Sequence, residues 1–296
     1  MVARLKRLRP VQRCWKLALP GTQGSRMAKK SIPLKTELRR LLRKYPETQT
    51  MELLIPDMLG VLKGKRIRRK DFEKACEEPF WFCGGTVLLS VLGEVVEGLP
   101  GSGDGDPDIP CTVVPGSLAP VPWASRPMAQ GLFRMFDEEG NTFVADPRAV
   151  LERAMAPLNK MGLTQVMATE LEFYLLDGKA DKPTPRAPRI PGIGRPQPGV
   201  QVYHPDDLDQ VQPFLDDVYD YCAAQNIPAD TTTSEYAPGQ FEINLMHVDD
   251  PVLACDHAVL LKRAIKAAAT KHGFVACFMA KPFAEDAGSG LHIHMS

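Results

Sequence analysis

The chain has 296 residues, 44% of them hydrophobic and 24% charged, with 36 Lys and Arg against 36 Asp and Glu. This composition excludes a wholly disordered or fibrous chain, and the length points to about two domains. No stretch reaches the roughly 18 to 20 apolar residues of a membrane helix, so no membrane partner is expected.

The neutral balance hides an asymmetry. Nine of the basic residues fall within residues 1–30, which hold no Asp or Glu, leaving an acidic body with no nucleic-acid footprint. The basic segment fits a transit peptide, a disordered arm or translated sequence ahead of a start at Met27, and the last is favoured. Its one apolar run, Trp15–Pro20, is too short for a secretory signal and is broken by Lys16. The seven cysteines form no C-x-x-C pair and read as reduced thiols, so a cytoplasmic protein is expected.

In chain order, a helix is predicted from Ser31 to Lys44, with Pro33 in the first turn and Leu34, Leu38, Leu41 and Leu42 at helical spacing. Strands follow at Met51–Ile55, Val61–Ile67 and Thr86–Val96, separated by a Pro56-Asp57 turn and by glycines. The acidic loop Gly101–Asp108 lacks the glycine and distal glutamate of an EF-hand and reads as a surface turn. Asp146-Pro147 starts a helix running to Met161, followed by a strand at Gln165–Leu176 and a Pro- and Gly-rich loop at Lys182–Gly199. A helix at Asp206–Gln225, a strand at Phe241–Leu245 and a long helix at Asp250–His272 come next. Strands at Phe274–Ala280 and Leu291–Met295 close the chain. The expected organisation is an extension (1–30), a small sheet domain (31–142) and a second domain (143–296), in an α+β fold.

The second domain repeats one pattern three times. Glu170 and Glu172, Gln240 and Glu242, and His292 and His294 are pairs spaced i, i+2 on strand candidates. Side chains two apart on a strand share a face, about 7 Å from one another. Leu171, Phe173, Phe241, Ile243, Leu291 and Ile293 then fill the opposite face. One Glu-x-Glu or His-x-His taken singly is ordinarily a solvated surface, but three such pairs in one domain point to a shared acidic, imidazole-bearing face. Crowded carboxylates repel unless solvated, protonated or neutralised by cations, and this donor set suits Mg²⁺ or Mn²⁺ better than a closed zinc site.

Four segments, in order, resemble the active-site motifs of the glutamine synthetase family: Thr169-Glu-Leu-Glu-Phe173, Glu235-Tyr-Ala-Pro-Gly-Gln-Phe-Glu-Ile-Asn244, Lys281-Pro282 and Gly288-Ser-Gly-Leu-His-Ile-His-Met-Ser296. Weaker echoes at Ile55–Lys65, Gly105–Asp108 and Pro122-Trp123 resemble the family's small domain, so the likeness covers residues 35–296. It implies a β-grasp-like N-terminal domain and a catalytic domain built on a curved antiparallel sheet backed by helices. Carried over residue by residue, it implies that Glu172, Glu235 and Glu242 hold one Mg²⁺ or Mn²⁺ while Glu170 and His292 hold a second. His294 and Ser296 match positions contacting ATP, and Gly288 matches one contacting glutamate. The implied activity is an ATP-dependent ligase that joins the γ-carboxylate of glutamate to an amine through a γ-glutamyl phosphate. The implied assembly is a ring-shaped homo-oligomer of twelve.

Two departures bear on that expectation. Leu89–Glu97 stands where ammonia-using members carry an Asp-Gly-Ser-Ser type segment, so the likeness is greater to the γ-glutamylpolyamine or γ-glutamylputrescine synthetase branch. A polyamine or monoamine acceptor is therefore expected ahead of ammonia, with Glu94 or Glu97 as candidates to meet a cationic amine. The sequence also stops at Ser296, where the family continues with a further carboxylate ligand, phosphate-gripping arginines and a covering loop. A C-terminally truncated catalytic domain is the expectation, with a non-catalytic metal- or nucleotide-binding relative or assembly subunit as the alternative. An unrelated carboxylate/histidine metallohydrolase would leave the ordered motifs unexplained.

Overall fold

The computed structural model describes residues 32–99, 106–197 and 199–296. The basic segment 1–30 and residues 100–105 of the acidic loop lie outside them, and with them the readings made there. Residues 32–296 cluster as one unit.

Helix α1 (Leu34–Lys44) buries Leu38 and Leu41 against the first sheet, as its leucine spacing predicts. Strands β1 (Thr50–Pro56) and β2 (Leu62–Arg68) pair antiparallel from Thr50↔Arg68 to Pro56↔Leu62. The turn between them is made by Asp57, whose Oδ1 accepts the Leu59 and Val61 amides at 2.9 and 2.8 Å. Helix α2 (Phe72–Glu77), β3 (Phe80–Cys83), β4 (Asp108–Val113), the short β5 (Ala119–Pro120) and β6 (Met128–Met135) complete this part. The sheet order is β2-β1-β6-β4-β3, with β5 also on β6. The β1–β6 pair is parallel and the other pairings are antiparallel.

The predicted strand at Thr86–Val96 is not formed. Its place is taken by a 3₁₀ turn at Gly84–Leu88 and an exposed irregular stretch, while the strand lies upstream at Phe80–Cys83. Gly93 and Gly98 adopt φ of 81° and 78°, and the Ser90 hydroxyl accepts the Leu92 and Glu94 amides, which folds the backbone onto itself instead of into a ladder. Strands β4 and β6 are not among the predicted elements: β6 shows no alternation, whereas β4 does, with Ile109, Cys111 and Val113 buried between more exposed neighbours.

Helix α3 (Pro147–Lys160) begins as Asp146-Pro147 predicts, for the Asp146 carboxylate accepts the Arg148 and Ala149 amides at 2.9 and 3.1 Å. Strand β7 (Met167–Asp177) is the spine of a second, wholly antiparallel sheet with β8 (Ala229–Ser234), β9 (Gln240–Leu245), β10 (Phe274–Cys277) and β11 (Leu291–Met295). Its order is β10-β7-β9-β8, and β11 shares one edge of β7 with β10, covering Met167–Leu171 while β10 covers Tyr174–Asp177.

The single helix predicted at Asp206–Gln225 is two, α4 (Pro205–Asp209) and α5 (Gln212–Ala224). Pro213 lacks the amide needed to bond back to residue 209, so the helix restarts there. Helix α6 (Pro251–Lys271) has the predicted cap, with Asp250 accepting the Val252 and Leu253 amides, and Gly273 at φ 75° just past its end. The strand predicted at Phe274–Ala280 stops at Cys277.

Helices α5 and α6 cover one face of the second sheet, burying Leu171, Phe173, Leu175 and Ile243 with Phe214, Val218, Leu261 and Ile265. The two sheets are tied by Glu52 of β1, whose carboxylate is bonded by Arg66 at 2.8–2.9 Å and by Arg263 of α6. Gln225 adds a bond to the Pro120 carbonyl at 2.8 Å, and Arg148 of α3 pairs with Asp256 of α6. Among the described residues there is no disulfide, and burial pushes the Cys111 and Cys222 thiols up to about 12, which keeps them inert. No helix among these residues is long and apolar enough to cross a membrane.

Candidate active site

Register decides which side chains meet. Across β7 and β9, Glu170 stands opposite Asn244 and Glu172 opposite Glu242; across β7 and β11, His292 stands opposite Glu170 and His294 opposite Ala168. Opposed residues share a face, so Glu170, Glu172, Gln240, Glu242, Asn244, His292 and His294 all project away from the helices. Glu235 follows β8, fixed by its amide to the Gln240 carbonyl at 2.8 Å and by the Thr233 hydroxyl to its Oε1 at 3.1 Å.

The distances are short. His292 Nδ1 lies 3.0 Å from Glu170 Oε2 and 3.9 Å from Glu242 Oε2, and His294 Nε2 lies 2.9 Å from Glu170 Oε1. Glu170, Glu242 and His292 each present one ligand atom, and those atoms lie within 4.8 Å of one another. Glu242 thus stands between the two ligand sets implied by the resemblance. His294 turns its ring to Glu170, and Ser296 pairs through its backbone with Val166 at 2.9 and 3.0 Å, sealing the end of β11 on β7.

The electrostatics fit a cation site. Burial, joined by the charges of Glu170, Glu235 and Glu172, pushes the Glu242 carboxyl above its ordinary range. Burial likewise raises Glu235, with Glu172 and Glu170 adding to it against the Thr233 hydrogen bond. Glu170 goes the other way: burial raises it, but bonds from His292, His294 and Asn244 outweigh that and hold it low. Three converging ligand atoms among carboxylates that resist joint ionisation are a donor set suited to a divalent ion.

The structure adds supporting contacts to this face that its strand periodicity does not show. Gln240, 2% exposed, donates to Glu172 Oε2 and to the Gly288 carbonyl, both at 2.9 Å, and so fixes the carboxylate to the loop before β11. Asn244 Nδ2 donates to Glu170 Oε1 at 2.8 Å. It is the next same-face position after Glu242, which is the signal that could have found it. A Cβ on Gly290 would stand 2.8 Å from Glu172 Oε1 and 3.2 Å from His292 Nε2, so any other residue there would push these two side chains from their places. The polar face also has a closed end, where Tyr174 and Leu176 are buried against Ala237 and Phe283 and the Tyr174 hydroxyl donates to the Ala287 carbonyl at 2.5 Å. Glu94 and Glu97 lie on the exposed stretch after the 3₁₀ turn.

Residues 144–296 match the model of the glutamine synthetase catalytic domain. The chain belongs to the glutamine synthetase family. It is 42% identical over 266 residues to the gamma-glutamylputrescine synthetase of Escherichia coli K12, across 88% of this chain and 55% of that protein. It is 32% identical to a glutamate–isopropylamine ligase of a Pseudomonas species, across 83% and 54%, and 28% identical to the glutamine synthetase of Pyrococcus horikoshii, across 83% and 50%. Among solved structures, ligand-free GmaS superposes with a TM-score of 0.71 at 25% identity, across 88% of this chain and 56% of that one. The glutamine synthetase of Plasmodium falciparum has the same fold, with a TM-score of 0.72 at 18% identity across 91% and 55%. This family member spans about half the length of the curated relatives it matches. Its α+β class is the one the sequence predicts.

Proposed function

We propose that the chain carries the metal-binding half of an ATP-dependent ligase that joins the γ-carboxylate of glutamate to an amine. The observation that carries this is the convergence of Glu170, Glu242 and His292 within 4.8 Å on one sheet face, inside the segment that matches the family's catalytic domain. In this reading Glu172, Glu235 and Glu242 hold one Mg²⁺ or Mn²⁺, and Glu170 and His292 hold a second. Such ions supply charge neutralisation at a phosphoryl group in transfer.

The chain's own residues supply placement. Gln240 and Asn244 orient the carboxylates of Glu172 and Glu170, and Gly290 leaves room beside them. Gly288 is assigned to glutamate, with its carbonyl held by Gln240, and His294 and Ser296 to ATP. Glutamate is phosphorylated to γ-glutamyl phosphate, and the amine then displaces phosphate. An organic amine is the preferred acceptor, supported by the 42% identity to a protein named for putrescine and by the second relative named for isopropylamine. The proposed location is the cytoplasm, and the proposed assembly is a ring-shaped homo-oligomer of twelve, to be read by mass photometry.

The test is ADP release by the chain with glutamate, ATP and Mg²⁺ or Mn²⁺, across ammonia, putrescine and isopropylamine. Amine-dependent ADP release with γ-amide formation supports the reading. Metal binding with no ADP release above the amine-free control replaces it with the non-catalytic binder.

A further inference from the structure

A cavity of about 480 Å³ lies between the β1–β2 hairpin and α6, a size within the range of small-molecule sites. Val259, Lys262, Arg263 and Lys266 line it from α6 at spacing i, i+3, i+4, i+7, which is one stripe of the helix. Leu260, Leu261, Ala264 and Ile265 form the opposite stripe against the second sheet. The carboxylate face lies on the other side of that sheet, so this cavity is separate from the candidate active site.

Its charge is one-sided. The lining includes Lys63, Lys65, Arg66, Lys262, Arg263 and Lys266 against the single acid Glu52. Glu52 is already shared by Arg66 and Arg263, which leaves that group with a surplus positive charge. Lys63 reaches Asp57 at 3.5 Å, and Lys65 donates to the Trp81 carbonyl. Lys262 is half-buried and forms no ion pair among the described residues; it and Lys266 approach the Phe278 ring at 5.6 and 5.9 Å. Desolvation and the neighbouring Lys266 charge pull the Lys262 ammonium below its ordinary range, with distant Asp57 opposing. Cations gathered in a partly desolvated groove without matching anions call for an anion from outside.

We propose that this groove binds a small phosphate-bearing molecule. The arginine forks, which suit planar carboxylates, are taken up by Glu52, and what remains open is the pair Lys262 and Lys266, point charges suited to a tetrahedral dianion. Leu54, Val61, Leu62 and Val259 offer an apolar wall for the organic part of a phosphate monoester.

The experiment is calorimetric titration of the whole chain with inorganic phosphate at constant ionic strength, without divalent metal, and with citrate as a carboxylate comparison. The expected result is saturable phosphate binding that weakens at least about ten-fold in K262Q/K266Q, the scale of two lost partly screened charge contacts. The variant should melt no lower than the wild type, and its Mn²⁺ binding at the acidic face should stay unchanged, since neither lysine touches that face. No phosphate binding in the wild type, equal affinity for citrate, or undiminished binding in K262Q/K266Q would each overturn the proposal. If the double variant misfolds, the single variant K266Q, altering an exposed side chain, is read in its place, with a weakening of about three-fold expected for its one lost contact and undiminished binding overturning the proposal.

Discussion

Replacing Glu242 by Gln separates the cost of the acidic face from its use. Glu242 stands directly opposite Glu172 in the β7–β9 register, which places the two Cβ atoms about 5 Å apart. Glu170 and Glu235 add further negative charge, and the His292 ring stands beside it with Nδ1 at 3.9 Å. At a carboxylate separation of about 6 Å and an effective dielectric of about 20 to 40, each like-charge pair costs about 1–3 kcal/mol. The amide keeps shape and burial while removing that cost, so Glu242→Gln should stabilise the metal-free protein by about 1–2 kcal/mol. That is a rise of about 3–6 °C in melting temperature. The sign reverses with metal: the wild type gains stability with Mn²⁺ through binding to the native state, and the variant loses most of that gain.

The pH dependence follows from the same shift. A carboxyl raised in the folded state contributes stability that is full below its unfolded pKa and is lost as pH rises through the folded value. Metal-free wild type should therefore lose stability on going from the carboxylate range to neutral pH more than Glu242→Gln does. Differential scanning fluorimetry in EDTA and in Mn²⁺, from pH 4 to 8, reads all three effects. A variant that melts below wild type in EDTA at neutral pH, or that responds to Mn²⁺ as wild type does, would refute the reasoning.

Gly290→Ala should weaken Mn²⁺ binding by about 10- to 100-fold while leaving the fold intact, because its Cβ meets only Glu172 and His292 side-chain atoms; calorimetric Mn²⁺ titration reads it. Asn244→Ala removes one of the two contacts to Glu170 Oε1, the other being from His294, and should cost about ten-fold in the same titration. Glu52→Gln leaves Arg66 and Arg263 without their anion and should cost about 2–3 kcal/mol in urea unfolding at neutral pH. Burial raises the Glu52 carboxyl but the two arginines hold it below its ordinary value, so its contribution is lost as pH falls through that value, and the variant's penalty should shrink in acid.

Much of the site was legible because strand periodicity is strict. Three i, i+2 pairs placed six polar side chains on one face without any knowledge of strand order, and the β7–β9–β11 register then made them neighbours. The helices with Asp-Pro starts were equally plain, since an Asp N-cap followed by proline has one local meaning. What failed was chosen by tertiary context. The apolar run Thr86–Val96 reads as a strand, yet its serine and glycines fold it into turns and leave Val91 and Leu92 84% and 80% exposed. Strand β6 mixes glycine, glutamine and arginine, and becomes a central strand only because β1 and β4 flank it. Gly290 could not be read as part of the site either, because its role is the room it leaves for two side chains more distant in the chain or across the sheet.

The two charged regions of the molecule, one acidic and one basic, are built on opposite principles of support. On the acidic face three of the four carboxylates take a neutral hydrogen-bond partner, Gln240 for Glu172, Asn244 for Glu170 and Thr233 for Glu235, which fixes geometry without spending a guanidinium or ammonium on their charge. The inter-sheet contact does the reverse, spending two guanidinium groups on the one carboxylate of Glu52 and so cancelling charge to hold position. A structural ion pair needs the second arrangement, for an uncompensated buried charge is costly. A site meant for a cation needs the first, because neutral hydrogen bonds preorganise the ligands without competing for their charge. The native protein accepts the repulsion on that face as a loss of stability, and the gain expected for Glu242→Gln measures how large the loss is.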